Sequence, residues 1–413
     1  MNEGCDAAVA AYCARFGSDC LVRHAGGFFD YLRQLGYAAA TVEQKCRLLA
    51  HLSRWLDRRE PTEVSFDEAV LKAFHRSIDR PGHRRRGDIA TGRQLLQYLR
   101  GLGCIPMPTP AVNRTAIDEI IVDYGRFLSS ERGLAPATLI NYQPVIRRLL
   151  TARFGQNDVR LGELQPADIH RFVVDYAQAT SRRRAQLAVT ALRSFLRYSR
   201  QRGQIATDLA GAVPAVACWS LSDLPKFLPA EQVKQVLASC DRRTPVGKRN
   251  YAILLLLARL GLRAGEIVAL ALDDIDWENG DILVRGKGQR LARLPLPSDV
   301  GEALVEYLRD VRPTGRTRRL FLRIRAPLRG LANSVSVDCI VARALKRAGL
   351  APPLKGAHLL RHSLATDLLR QGASLAEIGQ LLRHSHPNTT QIYAKVDIES
   401  LRGIAVAWPA GAP

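Results

Sequence analysis

HLLRHSLATDLLRQGASLAEIGQLLRHSHPNTTQIY, residues 358–393, is the stretch on which the reading of this chain turns. Apolar residues recur at Leu360, Leu364, Leu368 and Leu369, close to helical period, so a helix is expected from His358 to Arg370. His358 and Arg361 stand i, i+3 on it and share a face. His362 follows Arg361, points away from that face, and reads as structural. Gly372 suits the residue past the helix end. Ser374 and Glu377 form a capping box for a second helix, with Leu375, Ile378, Leu381 and Leu382 as its buried stripe. His384 follows that helix. Pro387 and Asn388 then break the chain, which leaves Tyr393 on a short final helical segment. Consecutive elements thus bring basic residues and a phenol to one place.

Two further stretches lie upstream: Arg263 in GLRAGE, residues 261–266, and Lys287 in VRGKGQR, residues 284–290. With these, the chain resembles the tyrosine recombinase (phage integrase) family. The C-terminal domain of that family carries an Arg, a Lys in a β-hairpin, an H-x-x-R pair, a second His and a Tyr nucleophile. Arg263, Lys287, His358, Arg361, His384 and Tyr393 match those positions in order and spacing. Two residues depart from the pattern. Arg383 stands where the family usually has Gly, and Lys395 where a His is common. The resemblance covers about residues 116 to 400 and is strongest from Asn250 onward.

It implies that Tyr393 attacks a DNA phosphodiester, leaving a 3′-phosphotyrosyl link and a free 5′-hydroxyl. A phenol of ordinary pKa, about 10, needs cationic surroundings or a base for that. Arg263 and Arg361 are expected to clamp the non-bridging oxygens as bidentate forks. Lys287, in a Gly-flanked turn, reads as the general acid for the 5′-oxygen. His358 and His384 are expected to hydrogen-bond the phosphate or manage the tyrosine proton. Glu266, i+3 from Arg263, is expected to orient its guanidinium. No carboxylate cluster accompanies Tyr393, so neither a metal nor another cofactor is expected.

Composition agrees with a polyanionic partner. The 413 residues carry 60 Lys plus Arg against 39 Asp plus Glu, a net charge of +21. Arginine runs at Arg84, Arg85 and Arg86 and at Arg182, Arg183 and Arg184 read as phosphate contacts, as do Arg285, Arg290 and Arg293 around the hairpin. The eight cysteines form no C-x-x-C pair, which argues against a zinc site or a disulfide framework. No apolar run is long enough to span a bilayer, and the N-terminus lacks the basic start of a signal peptide. A cytoplasmic, nucleoid-associated protein is expected.

The expected fold is mainly α. Residues 1–110 read as an extra helical domain, 111–213 as a second, 214–228 as a Pro-bearing linker, and 229–413 as an α+β catalytic domain with a small β-hairpin or sheet. The two helical domains look duplicated. LGYAAAT, residues 35–41, parallels RGLAPAT, residues 132–138, and YLRGLGCI, residues 98–105, parallels YSRQRGQI, residues 198–205. The resemblance makes the second copy a SAM-like core-binding bundle. The extra copy leans toward an integrase or transposon recombinase of a mobile element over a minimal chromosomal resolvase. Double-stranded DNA is the expected partner, with a homo-tetramer on two duplexes and a monomer or weak oligomer without DNA. A type IB topoisomerase-like relaxase and a catalytically silent DNA-binding accessory protein are the competing readings.

Overall fold

The computed structural model describes residues 19–58, 66–77, 87–107, 115–155, 158–217, 226–286, 288, 290–314, 317–384 and 386–396. Its described residues are mainly helical, with one three-stranded antiparallel sheet. Contacts divide the chain into two units, Met107–Ser222 and the remainder. The first arginine run, Arg84 to Arg86, lies outside the described residues.

In the larger unit, residues 19–105 fold as helices Asp19–Gln34 (α1), Ala39–Asp57 (α2), Glu68–Ser77 (α3) and Asp88–Gly101 (α4). They close on a core of their own around Phe28, Phe29, Leu49 and Leu96. Gly36 turns the chain after α1 at φ +78, and a Cβ there would meet the Leu328 side chain at 2.1 Å. The Leu328 N–H also donates to the Leu35 carbonyl at 2.8 Å.

In Met107–Ser222 the helices are Ala116–Arg126 (α5), Pro136–Phe154 (α6), Pro166–Ala179 (α7) and Arg182–Gln201 (α8). A π-helical turn, Phe127–Glu131, extends α5. Tyr124, Ile146, Leu192 and Phe195 lie in its core. The turns that close α4 and α8 share their bonding. Leu102 and Arg202 N–H donate to Tyr98 and Tyr198, and Cys104 and Gln204 N–H donate to Leu99 and Ser199. Gly103 and Gly203 sit at φ +73 and +72, and Ile105 and Ile205 are buried behind them.

The remaining chain builds the site. Ala230–Ala238 (α9) precedes Pro245–Leu260 (α10), which starts with the Thr244 hydroxyl accepting from Gly247 N–H. Ala252 to Leu257 are buried without a break, so α10 is apolar all round and runs through the core. Gly261 ends it in the left-handed region at φ +56. Ala264–Ala269 (α11) leads to strands Ile275–Asp276 (β1), Asp281–Arg285 (β2) and Leu291–Pro295 (β3) in a meander. Pairing Ile282 with Leu294 and Val284 with Ala292 turns Ile282, Val284 and Leu294 into the core. The sequence places the two hairpin strands of the expected hairpin or sheet, and β1, two residues long, adds a third strand.

Ser298–Asp310 (α12) and Ser334–Arg347 (α13) pack on α10. Ala357–Arg370 (α14) and Leu375–Leu381 (α15) follow. The Ser374–Glu377 capping box is formed, and Gly372 takes φ +92. Tyr393 lies on a 3-10 turn, Gln391–Val396.

Gly261 has no room for a side chain, since a Cβ would meet Leu382 Cδ2 at 2.6 Å and Leu364 Cδ2 at 3.1 Å. Gly261→Ala is expected to cost about 2–4 kcal/mol, combining left-handed strain with overpacking. A urea midpoint unchanged by the substitution would contradict this close approach.

Candidate active site

The site forms where the ends of α10 and α15 meet α14. Arg361, on α14, is only 3% exposed. Its Nη1 donates to the Gly261 carbonyl and its Nη2 to the Leu382 carbonyl. Burial, with Arg263 and Arg383 close by, pushes its pKa down to about 10, so it stays cationic at neutral pH.

Arg263 precedes α11 and is tied to the buried Glu266. Its Nη1 donates to Glu266 Oε1 at 2.6 Å and its backbone N–H to Oε2 at 2.8 Å. Arg263 Nη2 donates to the Arg383 carbonyl at 3.3 Å. Arg383 Nη2 donates to Glu266 Oε2 at 2.9 Å. Burial raises the Glu266 pKa, but the Arg263 N–H and the two guanidinium groups outweigh it and hold the carboxyl below its ordinary range. Arg383 takes φ +53, a conformation that costs an L-residue about 1–2 kcal/mol.

Tyr393 is 1% exposed and packs with Ala365, Ile378 and Leu382 in a small cluster. Its hydroxyl lies 2.8 Å from His362 Nδ1. This corrects the expectation that His362 points away from the site. The angular argument gave α14 one functional face, whereas the helix is packed on several. Arg361 turns toward α10 and α15, and His362 turns toward the Tyr393 segment.

His384 donates to or accepts from Thr390 Oγ1 at 2.7 Å, and its ring lies parallel to Tyr393 at 6.5 Å. His358 is exposed at the start of α14, with its ring 6.3 Å from that of His362. Neither makes the hydrogen bond to the phenol. Burial pushes Tyr393 up to about 12, with Arg361 opposing. Burial also pushes His362 and His384 down to about 4, helped by neighbouring cations.

The structure therefore brings Arg263, Glu266, Arg361, His358, His384 and Tyr393 into one region and adds His362 and Arg383. Lys287 lies outside the described residues. Arg285 is paired, its Nη1 sitting 2.5 Å from both oxygens of Asp274, whose side chain is buried. Arg293 is paired with Asp276 at 3.4 Å, and Arg290 is exposed. Arg182, Arg183 and Arg184 are exposed on the first turn of α8. Among the described residues, no group of three or more His, Cys, Asp or Glu side chains could hold a metal ion.

Comparison with known proteins adds the following. Residues 226–400 match the phage integrase family, and residues 121–203 match the phage integrase N-terminal SAM-like domain. The chain is 45% identical over 383 residues to a Sinorhizobium fredii protein carrying the name integrase/recombinase y4rA, covering 92% of this chain and 93% of that one. It is 32% identical over 291 residues to tyrosine recombinase XerD of Listeria monocytogenes, covering 68% of this chain and 95% of that one. Among solved structures, XerH site-specific recombinase bound to palindromic difH substrate, a post-cleavage complex, shares the fold. Its TM-score is 0.56 at 21% identity, covering 82% of this chain and 93% of that one.

The two buried histidines generate a pH prediction. Each binds its proton more weakly folded, at about 4, than at its ordinary 6.5. The unfolded chain therefore protonates first, and stability present above about 6.5 is lost as pH falls toward 4. The thermal midpoint should drop across that window. His362→Gln with His384→Gln should flatten the drop, and an equally steep drop in the double variant would refute the assignment.

Proposed function

The chain belongs to the phage integrase family of tyrosine recombinases, and from that membership we propose that it recombines DNA at specific sites through a 3′-phosphotyrosyl link on Tyr393. The observation that carries the mechanism is the 2.8 Å contact between the phenol and His362 Nδ1. His362 is neutral at pH 7, so its ring nitrogen can take the phenol proton.

In the cleavage step the Tyr393 oxygen bonds to phosphorus and the bond to the 5′-oxygen breaks. The phenol proton passes to His362, and the 5′-oxygen takes a proton from Lys287. The charge that grows on the non-bridging oxygens is met by Arg263 and Arg361 in place of a metal ion. The phosphotyrosyl link keeps the energy of the broken phosphodiester. A 5′-hydroxyl from a second strand can therefore attack it and release Tyr393 without ATP. Repeated on two duplexes, the exchange calls for four copies of the chain and passes through a Holliday junction.

Arg182, Arg183 and Arg184 serve as phosphate contacts that position the SAM-like bundle. Residues 19–105 act as a second copy of that bundle, a reading supported by the matched turns after α4 and α8. This extra module fits a recombinase of a mobile element, and deleting residues 1–106 should shorten the DNase footprint.

Full-length protein on a nicked suicide duplex should give a covalent adduct in EDTA. Tyr393→Phe should give none, and His362→Gln should slow adduct formation by about 10²- to 10⁴-fold. An adduct from Tyr393→Phe, or strict dependence on Mg²⁺, would overturn the mechanism. Relaxation of any supercoiled plasmid without recombinant products would favour a topoisomerase.

A further inference from the structure

Arg383 has no part in the scheme above, and its placement carries a cost. It occupies a left-handed position, φ +53, that glycine would fill without strain. Its side chain is 11% exposed, and its buried Nε has no hydrogen-bond partner among the described residues. Its bonds run inward, through Nη2 to Glu266 Oε2 at 2.9 Å and through Nη1 to the Leu381 carbonyl at 2.9 Å. The carbonyl of the same residue accepts from Arg263 Nη2 at 3.3 Å.

We propose that Arg383 is a positioning residue for strand cleavage, sharing Glu266 with Arg263 so that the carboxylate fixes the Arg263 fork without cancelling its charge. One buried carboxylate facing one arginine would form a neutral pair, held firmly but weak toward a phosphate. Two guanidinium groups around the same carboxylate leave one positive charge over. The Arg383 carbonyl, aimed by its left-handed turn, holds the other arm of the Arg263 fork. Glycine at 383 would keep that carbonyl and relieve the strain, so the long cation is accounted for by what it does to Glu266.

The inference rests on the recombinase reading, and the experiment separates the two. Full-length wild type, Arg383→Gly, Arg383→Gln and Arg383→Lys are compared, with Glu266 intact and in a Glu266→Gln background. Single-turnover adduct formation on the nicked suicide duplex gives the rate, and gel shift on uncut duplex gives the affinity. Arg383→Gly and Arg383→Gln should lower the rate by about 10- to 100-fold, the range for losing a group that orients a charged catalytic partner. DNA affinity should stay within about twofold, as expected when an interaction acts in the transition state. Arg383→Lys should recover part of the rate.

In the Glu266→Gln background the Arg383→Gly change should cost less than about threefold more, because coupled sites are not additive. Thermal midpoints monitor folding. Should Arg383→Gly fail to fold, Arg383→Gln decides, since it keeps the stem and loses the charge. Wild-type rates in the Gly or Gln variant would sink the proposal. So would equal losses in both backgrounds, or a loss seen in affinity and not in rate. If wild type itself forms no adduct, the recombinase reading fails instead.

Discussion

A single buried cation ties the site together. The Arg361 guanidinium, almost wholly out of water, donates to Gly261 and to Leu382. Both carbonyls sit at helix C-terminal ends, those of α10 and α15. Carbonyls there lack intrahelical partners and gather partial negative charge. Leaving one buried and unpaired costs about 1–3 kcal/mol. One side chain thus satisfies two helix ends, and those ends offset the cost of burying the charge. The Gly261 carbonyl can face Arg361 because the chain turns left-handed there, in space too tight for a Cβ. The same contacts hold α10, α14 and α15 together and fix the Arg361 guanidinium in one orientation.

Around it the charge is deliberately unbalanced. Arg263, Arg361 and Arg383 surround one carboxylate, Glu266, and the nearby arginines contribute to the lowering of the Arg361 pKa. A cluster built only for stability would add a second acid. Any anion that binds there will stabilise the folded unit in proportion to its affinity. Strain at Arg383 and its buried Nε, without a partner among the described residues, place local cost in the same cluster.

Much of this was legible in the sequence where the signal is local. The helix carrying His358 and Arg361 was readable to within a residue from its apolar period and Gly372, and α15 from its capping box. Strand β2 could be read because its alternation faces one core. Strand β1 could not, since two residues carry no period and its pairing with β2 is what defines it. Long-range contacts were equally hidden. Arg285 reads as a free cation until folding presents the buried Asp274. Arg383 stood out as a non-glycine residue at a glycine position, but its bond to Glu266 spans 117 residues. His362 was set aside by treating α14 as a helix with one working face, a premise that fails for a helix packed on several sides.

In the His362–Tyr393 pair, burial acts on both groups. Burial pushes the phenol up and the imidazole down, so in the DNA-free chain both neutral forms are favoured and proton transfer between them is uphill. Tyr393 is therefore held as a neutral, hydrogen-bonded phenol. In the mechanism proposed above, a phosphodiester seated beside Arg361 would offset part of the cationic contribution to the His362 shift and so ease formation of the imidazolium. Burial, the larger cause of both shifts, would persist, which ties proton transfer to the moment at which the oxygen bonds to phosphorus.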